Sequence, residues 1–146
     1  MVLNTRHTGF VVLNLDKFIV FYEGLGLKLI SRMIEQGTYI DNLVGLSNVK
    51  LEWAKLSLPD NSVIEILKYH SHIDSLNSSI HLQKAYRIGC SHIALTVIDI
   101  EEAIHFICTN GGYLKNKHQV SPDGKVKVVY CYDIEGNILE LVQELK

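Results

Sequence analysis

No stretch of the 146 residues stays apolar for the roughly 20 positions a bilayer-crossing helix needs, which excludes a helical membrane span. Basic residues are in short supply as well: 14 Lys and Arg against 16 Asp and Glu leave a formal net charge of -2. Without a cationic excess to neutralise phosphates, a nucleic-acid partner is not expected. The longest basic cluster, Lys115 to Lys127, is interrupted by Ser121, Pro122, Asp123 and Gly124 and reads as a solvated turn. Cysteines are few and odd in number. Cys90, Cys108 and Cys131 lie far apart among apolar residues, so buried free thiols are expected and no disulfide framework. Met1 to Arg6 shows no signal-peptide pattern, which with the thiols leads to the expectation of a cytoplasmic protein. The sequon Asn77-Ser78-Ser79 carries no weight without secretion.

What is present is an ordinary globular composition, 47% apolar and 21% charged, in a length that suits one domain or two small modules sharing a core. The chain also repeats itself. His92 follows His7 by 85 positions, and at the same offset Val12 meets Val97, Ile19 meets Ile104, Phe21 meets Phe106 and Gly26 meets Gly111. Each half opens with the same phrase of strand, helix and glycine stop. His7 to Leu13 and His92 to Ile98 are rich in strand-forming residues. Leu15, Phe18, Ile19 and Tyr22 then recur at helical spacing, as do Ile100, Ala103, Ile104 and Ile107. Asn14 and Asp99 stand where an N-cap accepts the free amides of the first turn. Gly24 and Gly26, and Gly111-Gly112, stand where a left-handed residue closes a helix.

Further strands follow. In the second half they are predicted near Tyr113 to Lys117, at Val126 to Tyr132 and at Ile138 to Gln143, with Asp133 to Asn137 as a tight turn. In the first half they are predicted at Leu51 to Ser57 and Val63 to Tyr69, around the turn Leu58-Pro59-Asp60-Asn61. The segment Glu35 to Val49 makes the first half longer, and a polar, partly helical linker at 71–87 joins modules 1–70 and 88–146.

The chemistry concentrates in four residues. On the first strand of each half, Phe10 and Val12, or Ile93, Leu95 and Val97, share one face, leaving His7 and His92 on the other beside the small Gly9 and Ala94. Glu65 and Glu140 each sit at the centre of a strongly apolar strand, where a carboxylate is costly to bury without a partner. Two such glutamates at equivalent places, each matched to a strand-borne histidine, point to a shared divalent metal. The alternative is a hydrogen-bonded His–Glu pair in each half without metal.

The His7 strand with Leu25-Gly26-Leu27, Ile64-Glu65-Ile66-Leu67-Lys68-Tyr69, His92-Ile93-Ala94-Leu95 and Asp133-Ile134-Glu135-Gly136-Asn137-Ile138-Leu139-Glu140-Leu141 resemble the vicinal oxygen chelate superfamily over nearly the whole chain. The resemblance implies an α+β fold of two βαβββ modules forming a partly open mixed β-barrel around one divalent ion (Ni, Zn, Co, Mn or Fe), often in a homodimer. It implies His7, Glu65, His92 and Glu140 as ligands, a set most like that of glyoxalase I (lactoylglutathione lyase). Where glyoxalase I has an arginine and an asparagine against glutathione, this chain has Val11 and Tyr69. The implied activity is a lyase or isomerase acting on a small molecule. The substrate chelates the metal through adjacent oxygens, and Glu140, with Glu65 as second candidate, moves the proton. Alternatives within the resemblance are a methylmalonyl-CoA-epimerase-like enzyme, an Fe(II) dioxygenase using His7, His92 and Glu140, and a non-catalytic small-molecule-binding protein.

Other polar residues carry blander readings. His70 and His72 beside Ser71 suit a solvated linker better than a metal site. Trp53, Tyr69, Tyr130 and Tyr132 suit core or sheet surface, with a pocket lining as the alternative. His81, His105 and His118 are assigned no role.

Overall fold

The first repeat runs β1 (Thr8–Val11), α1 (Leu15–Gly24), β2 (Lys28–Gln36), α2 (Thr38–Val44), β3 (Lys50–Ser57) and β4 (Val63–Tyr69). The second runs β5 (His92–Thr96), α3 (Ile100–Thr109), β6 (Tyr113–Leu114), β7 (Gln119–Val120), β8 (Val126–Tyr132) and β9 (Ile138–Glu144). The computed structural model describes residues 1–74 and 82–146. It divides into two compact units, Met1–Ser78 and Ser79–Lys146. In the first unit the strands lie in the order β1-β4-β3-β2; in the second, β5-β9-β8-β6, with β7 also paired to β8. In both, the first strand runs parallel to the last and the remaining pairs are antiparallel. These are the two βαβββ modules of α+β class that the sequence predicts.

The helices start where the caps were expected. The Asn14 side chain accepts from Lys17 N at 3.1 Å, and Asp99 Oδ1 accepts from Glu101 N at 2.8 Å and Glu102 N at 3.1 Å. They stop at Gly26 (φ +101°) and Gly111 (φ +94°), left-handed conformations that favour a residue without Cβ. Gly24 is instead the last helical residue. Gly112 serves a different need: a Cβ there would lie 2.5 Å from the Tyr132 carbonyl oxygen.

Each helix covers one face of its own sheet. Leu15, Phe18 and Tyr22 of α1 are buried with Ala54, Leu56, Ile64 and Ile66, and Phe10 contributes a ring 6.0 Å from Phe18. Ile100, Ala103 and Ile107 of α3 are buried with Val129, Cys131, Leu139 and Leu141. Burying each large aliphatic chain contributes about 1.5–3 kcal/mol, so polar residues are driven to the opposite face or the rim. Among the described residues, no helix is long and apolar enough to cross a membrane.

Several expectations need correction. The first strand is shorter than His7 to Leu13, ending at Val11 because the chain must turn into the Asn14 cap. The longer middle of the first half carries the end of β2 and the helix α2, whose Ile40 packs with Val49 and Leu51. The strand expected at Tyr113 to Lys117 is only Tyr113–Leu114, and β7 follows separately. Cys90 and Cys108 are exposed, since Cys108 sits on the outer side of α3 and Cys90 in the loop before β5. Cys131 is the buried thiol, pushed up to about 12 by burial first and by Cys108 second. The described parts of the linker, 71–74 and 82–87, hold no helix; residues 75–81, with Asn77 to Ser79 and His81, lie outside the described residues.

Candidate metal centre

The parallel pairing of first and last strands builds the same constellation twice. Gly9 stands opposite Glu65 and Ala94 opposite Glu140, so each histidine, two residues upstream, lies diagonally across from its glutamate on the same face. The face opposite the helix is the one they occupy: Ile64 and Ile66, or Leu139 and Leu141, point to the core, and the glutamate between them points away. His7 Nε2 lies 3.0 Å from Glu65 Oε2, and His92 Nε2 lies 2.8 Å from Glu140 Oε2. Both glutamates are mostly buried, with side-chain exposures of 13% and 23%. Gly9 and Ala94, the small residues noted in the sequence, are the ones that stand directly opposite the glutamates.

The geometry suits a cation. Two donors bound to one ion at about 2.1 Å, with roughly a right angle between the bonds, stand about 3 Å apart. Imidazole nitrogen and carboxylate oxygen are also the donor types a divalent transition metal takes. Among the described residues of either unit, no third His, Cys, Asp or Glu joins the pair, so each unit offers two ligands. His92 Nδ1 is buried without a partner among the described residues, so its Nε2–H contact with Glu140 alone orients the ring by hydrogen bonding.

Beside these pairs the two units differ. The hairpin β3–β4 places Lys55 opposite Glu65, and its Nζ lies 3.4 Å from Glu65 Oε1 and 4.6 Å from the centre of the Trp53 ring. The hairpin β8–β9 places Tyr130 opposite Glu140, with its ring centre 5.1 Å from that of His92. Glu65 therefore has both oxygens engaged, whereas Glu140 Oε1 has no partner among the described residues. Lys55 was missed in the sequence: counting back from a 58–61 turn sets Ala54 opposite Glu65, and the structure, with Leu58 N bonded to Ser62 O, moves the register by one residue.

The other histidines fall elsewhere. His70 Nε2 lies 2.8 Å from Glu52 Oε2, and Arg32 Nε donates to Glu52 Oε1 at 2.7 Å while its Nη1 reaches Asp16 at 2.6 Å. Burial pushes the Glu52 carboxyl upward, but hydrogen bonds from His70 and then Arg32 outweigh it and hold it below the usual range. His72 Nδ1 meets Ser71 Oγ at 2.8 Å, so His70 and His72 share no site. His118 Nε2 pairs with Glu101 at 2.7 Å, a contact the sequence reading did not assign. Of the aromatics, Tyr69 joins the α2 cluster, and Tyr132 donates to the Gln83 carbonyl at 3.0 Å; Trp53 and Tyr130 flank the His–Glu pairs.

No family model and no curated relative matches the chain. Solved structures do. A glyoxalase family protein from Bacillus cereus is 26% identical, superposes with a TM-score of 0.88, and the match covers 100% of this chain and 97% of that one. The fosfomycin resistance protein FosX from Listeria monocytogenes matches at 16% identity and TM-score 0.66, over 99% of this chain and 96% of its own. A glyoxalase I mutant from Zea mays matches at 19% identity and TM-score 0.66, over 97% of this chain and 45% of its own.

Proposed function

We propose that this chain, which by its fold belongs to the vicinal oxygen chelate superfamily, is a divalent-metal-dependent lyase or isomerase that moves a proton at a carbon next to a carbonyl. The observation that carries the reading is the twice-built contact of an imidazole Nε2 with a strand-borne carboxylate, at 3.0 and 2.8 Å. His7, Glu65, His92 and Glu140 are the proposed ligands. A FosX variant was solved with Mn(II) and a dihydroxypropylphosphonic acid, which supports a metal and a small oxygen-rich ligand as occupants of this fold.

When bound, the ion supplies Lewis acidity toward the substrate's adjacent oxygens and so makes the neighbouring C–H more acidic. The chain's own residues then divide the work. Glu65, held by His7 on one oxygen and Lys55 on the other, is suited to stay in place. Glu140 Oε1 has no partner among the described residues, and it is the atom proposed to accept the proton and return it. His92 Nε2 and the other oxygen of Glu140 would together hold the ion, and Tyr130 closes the side of the His92 ring. The proposed setting is a cytoplasmic homodimer, checked by light scattering on purified protein.

Elemental analysis of the purified protein tests the metal. About one equivalent of a divalent ion is expected per chain, lost in both His7→Ala and Glu65→Ala. Metal-free wild-type protein that takes up no added divalent ion would leave two ion-free hydrogen-bonded pairs and end the reading. A screen of 2-oxoaldehyde–thiol adducts and acyl-CoA esters on the loaded protein then tests the reaction class.

A further inference from the structure

Lys55 is the only lysine or arginine that β1, β3 and β4 place on the face carrying His7 and Glu65, and its side chain keeps 33% of its exposure. Its ammonium has three N–H donors. Among the described residues it meets one carboxylate oxygen, Glu65 Oε1 at 3.4 Å, and rests over the Trp53 ring at 4.6 Å. Among the described residues, its other two donors meet no acceptor. The ring holds the ammonium by cation–π attraction, so its position does not depend on Glu65 alone. A carboxylate that shares its charge with a divalent ion is, moreover, a weaker partner for a lysine. The loaded site therefore leaves Lys55 with more of its charge uncompensated, one carboxylate's width from the metal-binding oxygen. The equivalent place in the second unit holds Tyr130, which is uncharged.

We propose that Lys55 determines the class of substrate: it binds an anionic oxygen group, a carboxylate or phosphate-type group, carried by the substrate close to its metal-chelating oxygens. This rests on the metal reading above. Val11, on the same face, is 66% exposed and offers no charge, so Lys55 is the residue of these strands equipped for the task.

Two hydroxamates separate the possibilities, because they share a chelating head and differ in one charge. Acetohydroxamate carries the head alone; N-hydroxysuccinamate adds a carboxylate. Both are titrated into Co(II)-loaded protein, with heat and the Co(II) visible spectrum as readouts. Wild type is expected to bind N-hydroxysuccinamate about tenfold more tightly than acetohydroxamate, as a charge-assisted hydrogen bond allows. Lys55→Met should bring the two affinities together, whatever loosening Glu65 does to both, and Lys55→Arg should restore most of the difference. A Lys55→Met variant that keeps the tenfold ratio between the two probes overturns the assignment and leaves the metal reading standing. Wild-type protein that takes up no Co(II), or whose Co(II) spectrum ignores acetohydroxamate, overturns the metal reading and this proposal with it.

Discussion

The two units of this protein agree in backbone and in one pair of side chains, and differ in nearly everything that surrounds that pair. In the first unit the edge strand β2 has nine residues, takes an irregular step between Leu29 and Ser31, and leads into α2; in the second, that edge is two pieces of two residues each. The helix of each unit is tied to its sheet through an acid in its first turn, but by different means. Asp16 reaches Arg32, which holds the buried Glu52, which in turn holds His70. Glu101 meets His118 at 2.7 Å and Lys127 at 3.6 Å, with no second carboxylate among the described residues. The glutamates of the pairs differ likewise, one meeting Lys55 and the other with one oxygen that has no partner among the described residues. A duplicated scaffold thus supplies equivalent positions, and the residues on neighbouring strands give them unequal surroundings.

The sharpest way to break that comparison is to remove one carboxylate charge at a time. Glu140→Gln is expected to keep fold and metal but lose turnover by roughly 10²–10⁴-fold, measured as kcat on the substrate the screen yields. Glu65→Gln should instead weaken metal binding and, once saturated with metal, keep most of its turnover. Equal losses in kcat would make the glutamates interchangeable.

A smaller difference is expected in stability. Arg32→Ala leaves Glu52 buried with only His70 and should cost about 1–3 kcal/mol by denaturant unfolding. Lys127→Ala touches a longer contact to the exposed Glu101 and should cost no more than about 1 kcal/mol. The ranking, not the absolute values, tests whether the first unit depends more on its clamp.

The smallest effect is one of pH. The Glu52 carboxyl is held below its ordinary range in the folded state, because hydrogen bonds from His70 and Arg32 outweigh the upward push of burial. Its contribution to stability is therefore fully present above the unfolded-state value and is lost as pH falls through the folded-state one. Melting temperature should drop more steeply with acid in wild type than in Glu52→Gln. Parallel curves would show that this carboxylate contributes nothing to the acid limb.

Much of this was legible before any coordinates. The caps Asn14 and Asp99 and the closing glycines Gly26 and Gly111 are local features, written in residue type and period, and they appear where expected, while the flanking strands end earlier than predicted. The His–Glu pairs were legible because a carboxylate between apolar neighbours is conspicuous and because the pattern occurs twice. Lys55 and Glu52 were not, since a charged residue alternating with apolar ones in a strand resembles ordinary solvent-facing polarity. Which face it takes depends on strand register, and whom it meets depends on a neighbouring strand.

From its residues alone, the chain determined the strand–helix–glycine opening of each half, the duplication and the histidines and glutamates that pair, because propensity, capping and periodicity act over a few neighbouring positions. Tertiary structure decided that β1 lies along β4 and β5 along β9, so that each imidazole meets its carboxylate across a strand pair. It also decided that a lysine stands beside one glutamate and a tyrosine beside the other. Such contacts join positions far apart along the chain, and only the packing of a helix on one face fixes which side chains the other face presents.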